Sequence, residues 1–182
     1  MLNTRSMLKW LWLSALVVVL DLSTKAIATH YLVLYQPVPV FPGFNWTLAH
    51  NAGAAFSFLS SESGWQRWFF SLISLSVSIG IIVWLKRLAT TQTVLAVALA
   101  LVLGGALGNL WDRVTLGYVV DFIDVYYQQR HWPAFNLADS AISLGAVLLV
   151  IDSLRGERGD AADVKADAGT VSTKEHKKQD GV

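Results

Sequence analysis

The sequence predicts a mainly α-helical membrane protein: four transmembrane helices with a small strand-and-turn layer on one membrane surface. Three observations predict it. First, only 15% of the 182 residues are charged, and 54% are hydrophobic; a soluble domain carries about 25% charged residues. The charges are also unevenly placed, because residues 155–182 hold 12 of the 27. Residues 1–154 therefore keep too few to solvate a globule of their size. Second, four apolar runs recur, each close to the ~20 residues that cross a ~30 Å hydrocarbon core as a helix. Third, seven of the eight tryptophans stand at the ends of those runs, where an interfacial belt belongs.

The first run covers 8–27 and contains Asp21 and Lys25 near its end; Trp10 and Trp12 open it. Arg5, Lys9 and Ala26-Ile27-Ala28 resemble a cleavable signal peptide. Asp21 and Lys25 intrude on that cleavage region and three more runs follow, which favours an uncleaved helix. Residues 28–66 come next. Tyr31-Leu32-Val33-Leu34-Tyr35 and Asn45-Trp46-Thr47-Leu48 are β-prone stretches separated by Pro37, Pro39, Pro42 and Gly43, so short strands and turns are expected here. The second run, 68–85, is uncharged, opens at Trp65 and Trp68 and closes at Trp84. Residues 86–92 read as a tight helix–helix turn. The third run, 93–111, is uncharged and ends at Trp111. After a second long segment, 112–134, the fourth run covers 137–153, with Trp132 just ahead and Asp139 near its start. Backbone groups in lipid must be satisfied internally, so all four runs read as helices.

Basic residues near the span ends set the expected orientation. Arg5, Lys9, Lys86, Arg87, Arg155 and Arg158 flank one side, against Arg67, Arg113 and Arg130 on the other. The bias places both termini in the cytoplasm and the two long segments outside. Two regions follow: a transmembrane domain, 1–154, and a polar, disordered cytoplasmic tail, 155–182, rich in Asp, Lys, Gly, Ala and Thr.

Composition also excludes function classes. Without cysteine there is no disulfide framework, Cys nucleophile, thiolate metal site or lipidated cysteine in the chain. A net charge of +1 and no basic, aromatic-interleaved stripe argue against nucleic-acid binding. No HExxH zinc motif and no G-x-S-x-G elbow occurs. No metal or cofactor is expected.

In a membrane helix each ionisable residue needs a reason. Asp21 and Lys25 lie four apart, on one helix face; they read equally as a structural ion pair or as a brace around a site. Asn51, in His50-Asn51-Ala52-Gly53-Ala54-Ala55-Phe56, reads as an Asx-turn residue or as a site residue beside small neighbours. Gly104 and Gly108 have the spacing that lets helices approach closely. Asn109, Asp112 and Arg113 share the face at the end of that helix, with an Asp–Arg pair as the plain alternative. Asp121 sits between apolar residues, and burial would raise its pKa; Asp124 reads equally as a surface charge. Asn136, Asp139, Ser140 and Ser143 form a polar stripe on an apolar helix. Asn136-x-x-Asp139 is also a helix capping box with Asp in place of Glu.

Asp121 and Asp139 both belong near the outer face. Two carboxylates brought together do not readily both ionise, so one keeps its proton. Such a pair activates a water with one member and protonates a carbonyl or leaving amine with the other. Two other classes compete. A small transporter or channel subunit would use Asp21 and Asp139 as an ion path, though such groups belong at mid-membrane rather than at span ends. A structural membrane scaffold would use the polar residues as helix glue.

In order, Asp21-Leu22-Ser23-Thr24-Lys25, Asn51-Ala52-Gly53-Ala54-Ala55-Phe56, Gly104-Gly105-Ala106-Leu107-Gly108-Asn109-Leu110-Trp111-Asp112-Arg113, Val119-Val120-Asp121-Phe122 and Phe135-Asn136-Leu137-Ala138-Asp139-Ser140 resemble the motifs of the bacterial lipoprotein signal peptidases (signal peptidase II). The likeness spans about 8–154, with Leu22 where many members carry Gln. It implies an intramembrane aspartic endopeptidase of the bacterial inner membrane. Such enzymes remove the signal peptide from diacylglyceryl-modified prolipoproteins, cutting just before the lipidated cysteine. It implies Asp121 and Asp139 as the catalytic pair. Asn51, Gly53, Asn109, Arg113 and Asn136 would line or brace the site, with Asp21 and Lys25 in support. It implies an extracytoplasmic β-cradle and lid in the first outer segment, contact with membrane lipids, and inhibition by globomycin-type compounds. The choice of Asp121 over Asp124 rests on this match rather than on spacing.

Overall fold

The computed structural model describes residues 6–53 and 64–154. Four helices are long and apolar enough to cross a membrane. A 3-10 turn, Met7–Trp10, leads into α1, Leu11–Tyr31. Helices α2, Trp65–Arg87, and α3, Thr93–Thr115, follow, and α4 is Leu137–Leu154. Together with the 3-10 turn, the helices cover all four apolar runs and continue past them. Helix α3 runs on through Asp112 and Arg113 and so does place them on one helix with Asn109.

Helix α3 is the axis of the bundle. Its most apolar stretch is 56% buried, against 17–28% in the other three. Small residues explain how it packs on several sides at once. A Cβ on Gly104 would meet the Ser14 carbonyl oxygen at 2.9 Å and Val17 Cβ at 2.7 Å on α1. One on Gly105 would collide with the Ala138 carbonyl of α4. Ser14 Oγ donates to the Ala100 carbonyl at 2.8 Å, which close approach alone permits. At the end away from the sheet, Met7, Ile81, Leu85, Ala96, Leu99 and Leu103 form a tight apolar cluster. The outward faces stay apolar and exposed, as at Val19 and Ile27 on α1, Leu72 and Ile79 on α2, and Val147 and Val150 on α4. So much exposed apolar surface suits lipid, not water.

The two long connections meet at the other end in one antiparallel sheet. Its strands are β1, Val38–Phe41; β2, Phe44–Asn51; β3, Val119–Tyr127; and β4, Arg130–His131, in the order β1-β2-β3-β4. A Pro42-Gly43 turn closes the first hairpin, with Gly43 at φ 95°. Two expectations are corrected here. The Tyr31 to Tyr35 stretch is not a strand: α1 runs to Tyr31, and only Leu34 makes an isolated bridge, to Leu48. The strand forms instead over Val38–Phe41, where Pro39 is tolerated because β1 is an edge. The central strand β3 lies in the segment for which no strand was expected. Its composition alternates poorly, because its first four residues, Val119 to Phe122, are all buried.

Phe135 then fastens the approach to α4 onto β3. Its carbonyl accepts from the Phe122 and Ile123 amides at 3.0 and 2.9 Å, and its own amide donates to the Ile123 carbonyl at 3.1 Å. These bonds fix the start of α4 against the middle of β3. The expected tail, 155–182, the lid-side residues Ala54, Ala55 and Phe56, and Arg5 lie outside the described residues.

Candidate active site

Strand alternation decides which carboxylate of β3 faces the bundle. Asp121 and Asp124 are three residues apart, so they point to opposite faces. Asp124 is buried, not a surface charge. It accepts from Asn45 Nδ2 at 2.7 Å, and its other oxygen lies 2.8 Å from His131 Nδ1. That cluster knits β2, β3 and β4 together. Asp121, 2% exposed, faces the helices. One of its oxygens accepts from Asn51 Nδ2 at 3.0 Å, the other from Asn136 Nδ2 at 2.7 Å.

Asp139 occupies the first turn of α4. The Asn136-x-x-Asp139 motif forms the cap and also contacts the other polar groups. As a capping box, Asn136 Oδ1 accepts from the Asp139 amide at 2.9 Å, and Asp139 Oδ2 accepts from the Asn136 amide at 3.3 Å. As a site, the remaining Asp139 oxygen accepts from Asn109 Nδ2 at 2.7 Å, and Asn136 Nδ2 reaches Asn109 Oδ1 at 3.2 Å as well as Asp121. Asn109 and Asn136 therefore bridge the two carboxylates. Asn51 also serves twice: its Oδ1 accepts from the Gly53 amide at 2.9 Å in an Asx turn while its amide nitrogen holds Asp121. Gly53, at φ 98°, lies so close to the Phe70 ring that a Cβ would fall 2.7 Å from it.

Burial pushes the Asp121 carboxyl up to about 7, and the negative charge of Asp139 adds to the rise. The amide donors Asn51 and Asn136 and the Lys25 charge oppose it. Burial and the neighbouring Asp139 charge thus favour a proton on Asp121.

The bracing residues gather behind the pair. Asp21 and Lys25 form an ion pair at 2.7 Å, 0% and 3% exposed. Asp112 joins them, 2.9 Å from Lys25 Nζ. The expected alternative, an Asp112–Arg113 pair, is not what forms. Arg113 instead donates to the Asn109 carbonyl at 3.3 Å and lies over the Phe70 ring, its guanidinium carbon 5.5 Å from the centroid. All nine site residues read from the sequence thus sit in one neighbourhood at the sheet end of the bundle. Three contributors went unread: Asp112 as a partner of Lys25, Phe70, and the Asn45–Asp124–His131 cluster. Asp112 was legible as one of three polar groups on the Asn109 face; its partner on another helix was not.

A cleft of about 280 Å³ opens between α2, α3 and α4 beside this cluster. Asp139, Asn109 and Arg113 line its polar end, and Phe70, Ile73, Val77, Val102 and Ile142 continue it as an apolar wall. Such a cleft can take an apolar chain along the helices while presenting one polar link to the carboxylates. Among the described residues, no group of three or more His, Cys, Asp or Glu is placed to hold a metal ion.

Comparisons with known proteins show the family and the fold. The family model described as Signal peptidase (SPase) II matches residues 13–155. A lipoprotein signal peptidase of Pseudomonas putida is 57% identical over 155 residues, covering 84% of this chain and 91% of the relative. One from Acinetobacter baumannii is 62% identical over 144 residues, covering 79% and 82%. A solved bacterial membrane enzyme superposes with a TM-score of 0.72 at 33% identity, covering 80% of this chain and 92% of that one.

Proposed function

The chain belongs to the signal peptidase II family, and from that premise we propose that it removes the signal peptide from diacylglyceryl-modified prolipoproteins with a water activated by Asp121 and Asp139. It is a membrane-embedded peptidase. The observation that carries the mechanism is the bridging of the two carboxylates by Asn109 and Asn136.

A water between the carboxylates loses its proton to Asp139, a carboxylate acceptor of two N–H bonds at a helix start. The hydroxyl attacks the scissile carbonyl. Asp121, protonated near neutral pH, gives its proton to the developing oxyanion. As the tetrahedral diol collapses and its C–N bond breaks, Asp139 gives the proton it took from water to the departing amine, and Asp121 recovers a proton from the diol hydroxyl that becomes the new carbonyl. Neither a covalent intermediate nor a metal is required. The substrate is a membrane helix that must unwind at one bond with a lipid beside it, and the cleft between α2, α3 and α4 is open along that direction. Membrane lipids surround the apolar faces, and globomycin-type inhibitors would occupy the same cleft.

The basic flanks favour an inner-membrane protein with both termini cytoplasmic and the sheet outside: Lys9, Lys86 and Arg87 lie at the end opposite the sheet. The test is product identity. Purified chain is incubated with a prolipoprotein carrying the diacylglyceryl group and with the same prolipoprotein lacking it. Mass spectrometry should find a lipidated cysteine at the new N-terminus from the first and no product from the second, with chelator making no difference. A cut at another bond, or equal cutting of both, would contradict the proposal.

A further inference from the structure

Among the described residues, Lys25 is the cation at the centre of the carboxylate cluster. An ammonium has three N–H donors and no acceptor. Lys25 Nζ donates to Asn109 and pairs with Asp21 and Asp112, and each of these three partners leads to the catalytic pair. Asp21, at 2.7 Å, passes its other oxygen to the Ala138 amide at 2.9 Å, next to Asp139. Asp112, at 2.9 Å, accepts from the Val120 amide at 3.1 Å, next to Asp121. Asn109, whose Oδ1 lies 3.0 Å from Lys25 Nζ, donates from Nδ2 to Asp139 at 2.7 Å.

The Asn109 contact has a directional consequence. The two ends of an amide differ only in hydrogen-bonding character. A partner that can only donate, such as Lys25, forces the amide oxygen toward itself. The NH2 end must then face Asp139. With the amide reversed, an oxygen would oppose the carboxylate and an NH2 would oppose an ammonium, so both contacts would become repulsive. Asn136 Nδ2, at 3.2 Å from the same Asn109 oxygen, reinforces the orientation.

We propose that Lys25 is a positioning residue for the hydrolysis: it orients the Asn109 amide toward Asp139 and, through Asp21 and Asp112, fixes the backbone beside each catalytic aspartate. The proposal rests on the Asp121–Asp139 reading above. It separates Lys25 from a mere ion pair between helices, because an ion pair is indifferent to how the Asn109 amide points. Lys25 lines a separate cleft with Asp112 and Val120 rather than the one beside Asp139, so its expected effect is on kcat rather than on KM.

The test compares variants that keep the cluster's net charge. Removing Lys25 alone leaves Asp21 and Asp112 buried without a counter-ion. Lys25→Met combined with Asp112→Asn removes one charge of each sign and still offers the Val120 amide an acceptor. Lys25→Gln in the same Asp112→Asn background differs from the Met form by one amide donor. Wild type, both double variants, Asp121→Asn and Asp139→Asn are purified in detergent, checked for a monodisperse folded state, and assayed for kcat and KM on lipidated prolipoprotein. The Met form should lose about 100-fold in kcat with KM within about threefold, the scale of a small misplacement of catalytic groups. The Gln form should recover about tenfold of that loss by donating again to Asn109. Equal rates for the Met and Gln forms, or a Met form at the wild-type kcat, would overturn the proposal. Should the Met form not fold, the Gln form decides: kcat within about tenfold of wild type supports the proposal, and inactivity of the folded Gln form contradicts it. If Asp121→Asn and Asp139→Asn still cut, the failure belongs to the aspartate pair and not to Lys25.

Discussion

Asp121 carries the pH dependence of the site. Its carboxyl is pushed up to about 7 from an ordinary 3.8, chiefly by burial. If it is the proton donor, kcat/KM falls as pH rises through about 7, because the donor is then lost. Stability follows the same sign. Between 3.8 and about 7 the native chain holds a proton that the unfolded chain has released, so stability falls as pH rises across that window. Asp121→Asn removes the titration. It should melt higher than wild type at pH 8 and show little difference at pH 4; at ~1.4 kcal/mol per pH unit the gain is at most about 4 kcal/mol. Thermal unfolding in detergent at the two pH values checks this, and an unchanged gap contradicts it. The residue scale is also where sequence was most informative. Asn136 and Asp139 were legible as a capping box and as part of a polar stripe, and the structure uses them as both. The Asp21–Lys25 pair was legible from spacing alone. Its link to Asp112 was not, because spacing along one helix says nothing about a partner on another.

At the scale of elements, small residues on α3 let the charged cluster exist. A Cβ on Gly108 would stand 2.5 Å from Asp21 Oδ2, and one on Gly105 would strike the Ala138 carbonyl. Gly108→Val should therefore displace Asp21 and with it the cap on the Ala138 amide. We expect a loss of about 1–3 kcal/mol from overpacking and near-complete loss of cleavage. Gly80 is the control: nothing lies within 4 Å of a Cβ there, so Gly80→Ala should leave melting and rate unchanged. Differential scanning of both variants tests the contrast. The four helices were readable because lipid demands about 20 apolar residues per crossing, and that demand has few ways of being met. The sheet was less readable. The first half of strand β3 is buried on both faces, so its sequence lacks the alternation that marks a half-exposed strand. Strand β1 carries a proline that only an edge position excuses.

For the whole molecule, the arrangement is a division of labour between bundle and sheet. The bundle supplies Asp139 with its amide partners and the sheet supplies Asp121, and Phe135 joins them by three backbone bonds. The sheet end must then face the side on which prolipoproteins are cut. The chain has no cysteine, so single introduced thiols report orientation cleanly. Gln128→Cys, at the β3–β4 turn, should react with a membrane-impermeant maleimide on intact spheroplasts. Thr90→Cys, exposed between α2 and α3, should react only after lysis. The reverse pattern contradicts the proposed topology. The central claim, hydrolysis by Asp121 and Asp139 together, is tested most directly by cleavage of diacylglyceryl-modified prolipoprotein with three purified variants. Asp121→Asn and Asp139→Asn should fold and fail to cut. Asp124→Asn, altered on the opposite face of the same strand, should still cut. Cutting by either of the first two, or a requirement for Asp124 in their place, would contradict the account.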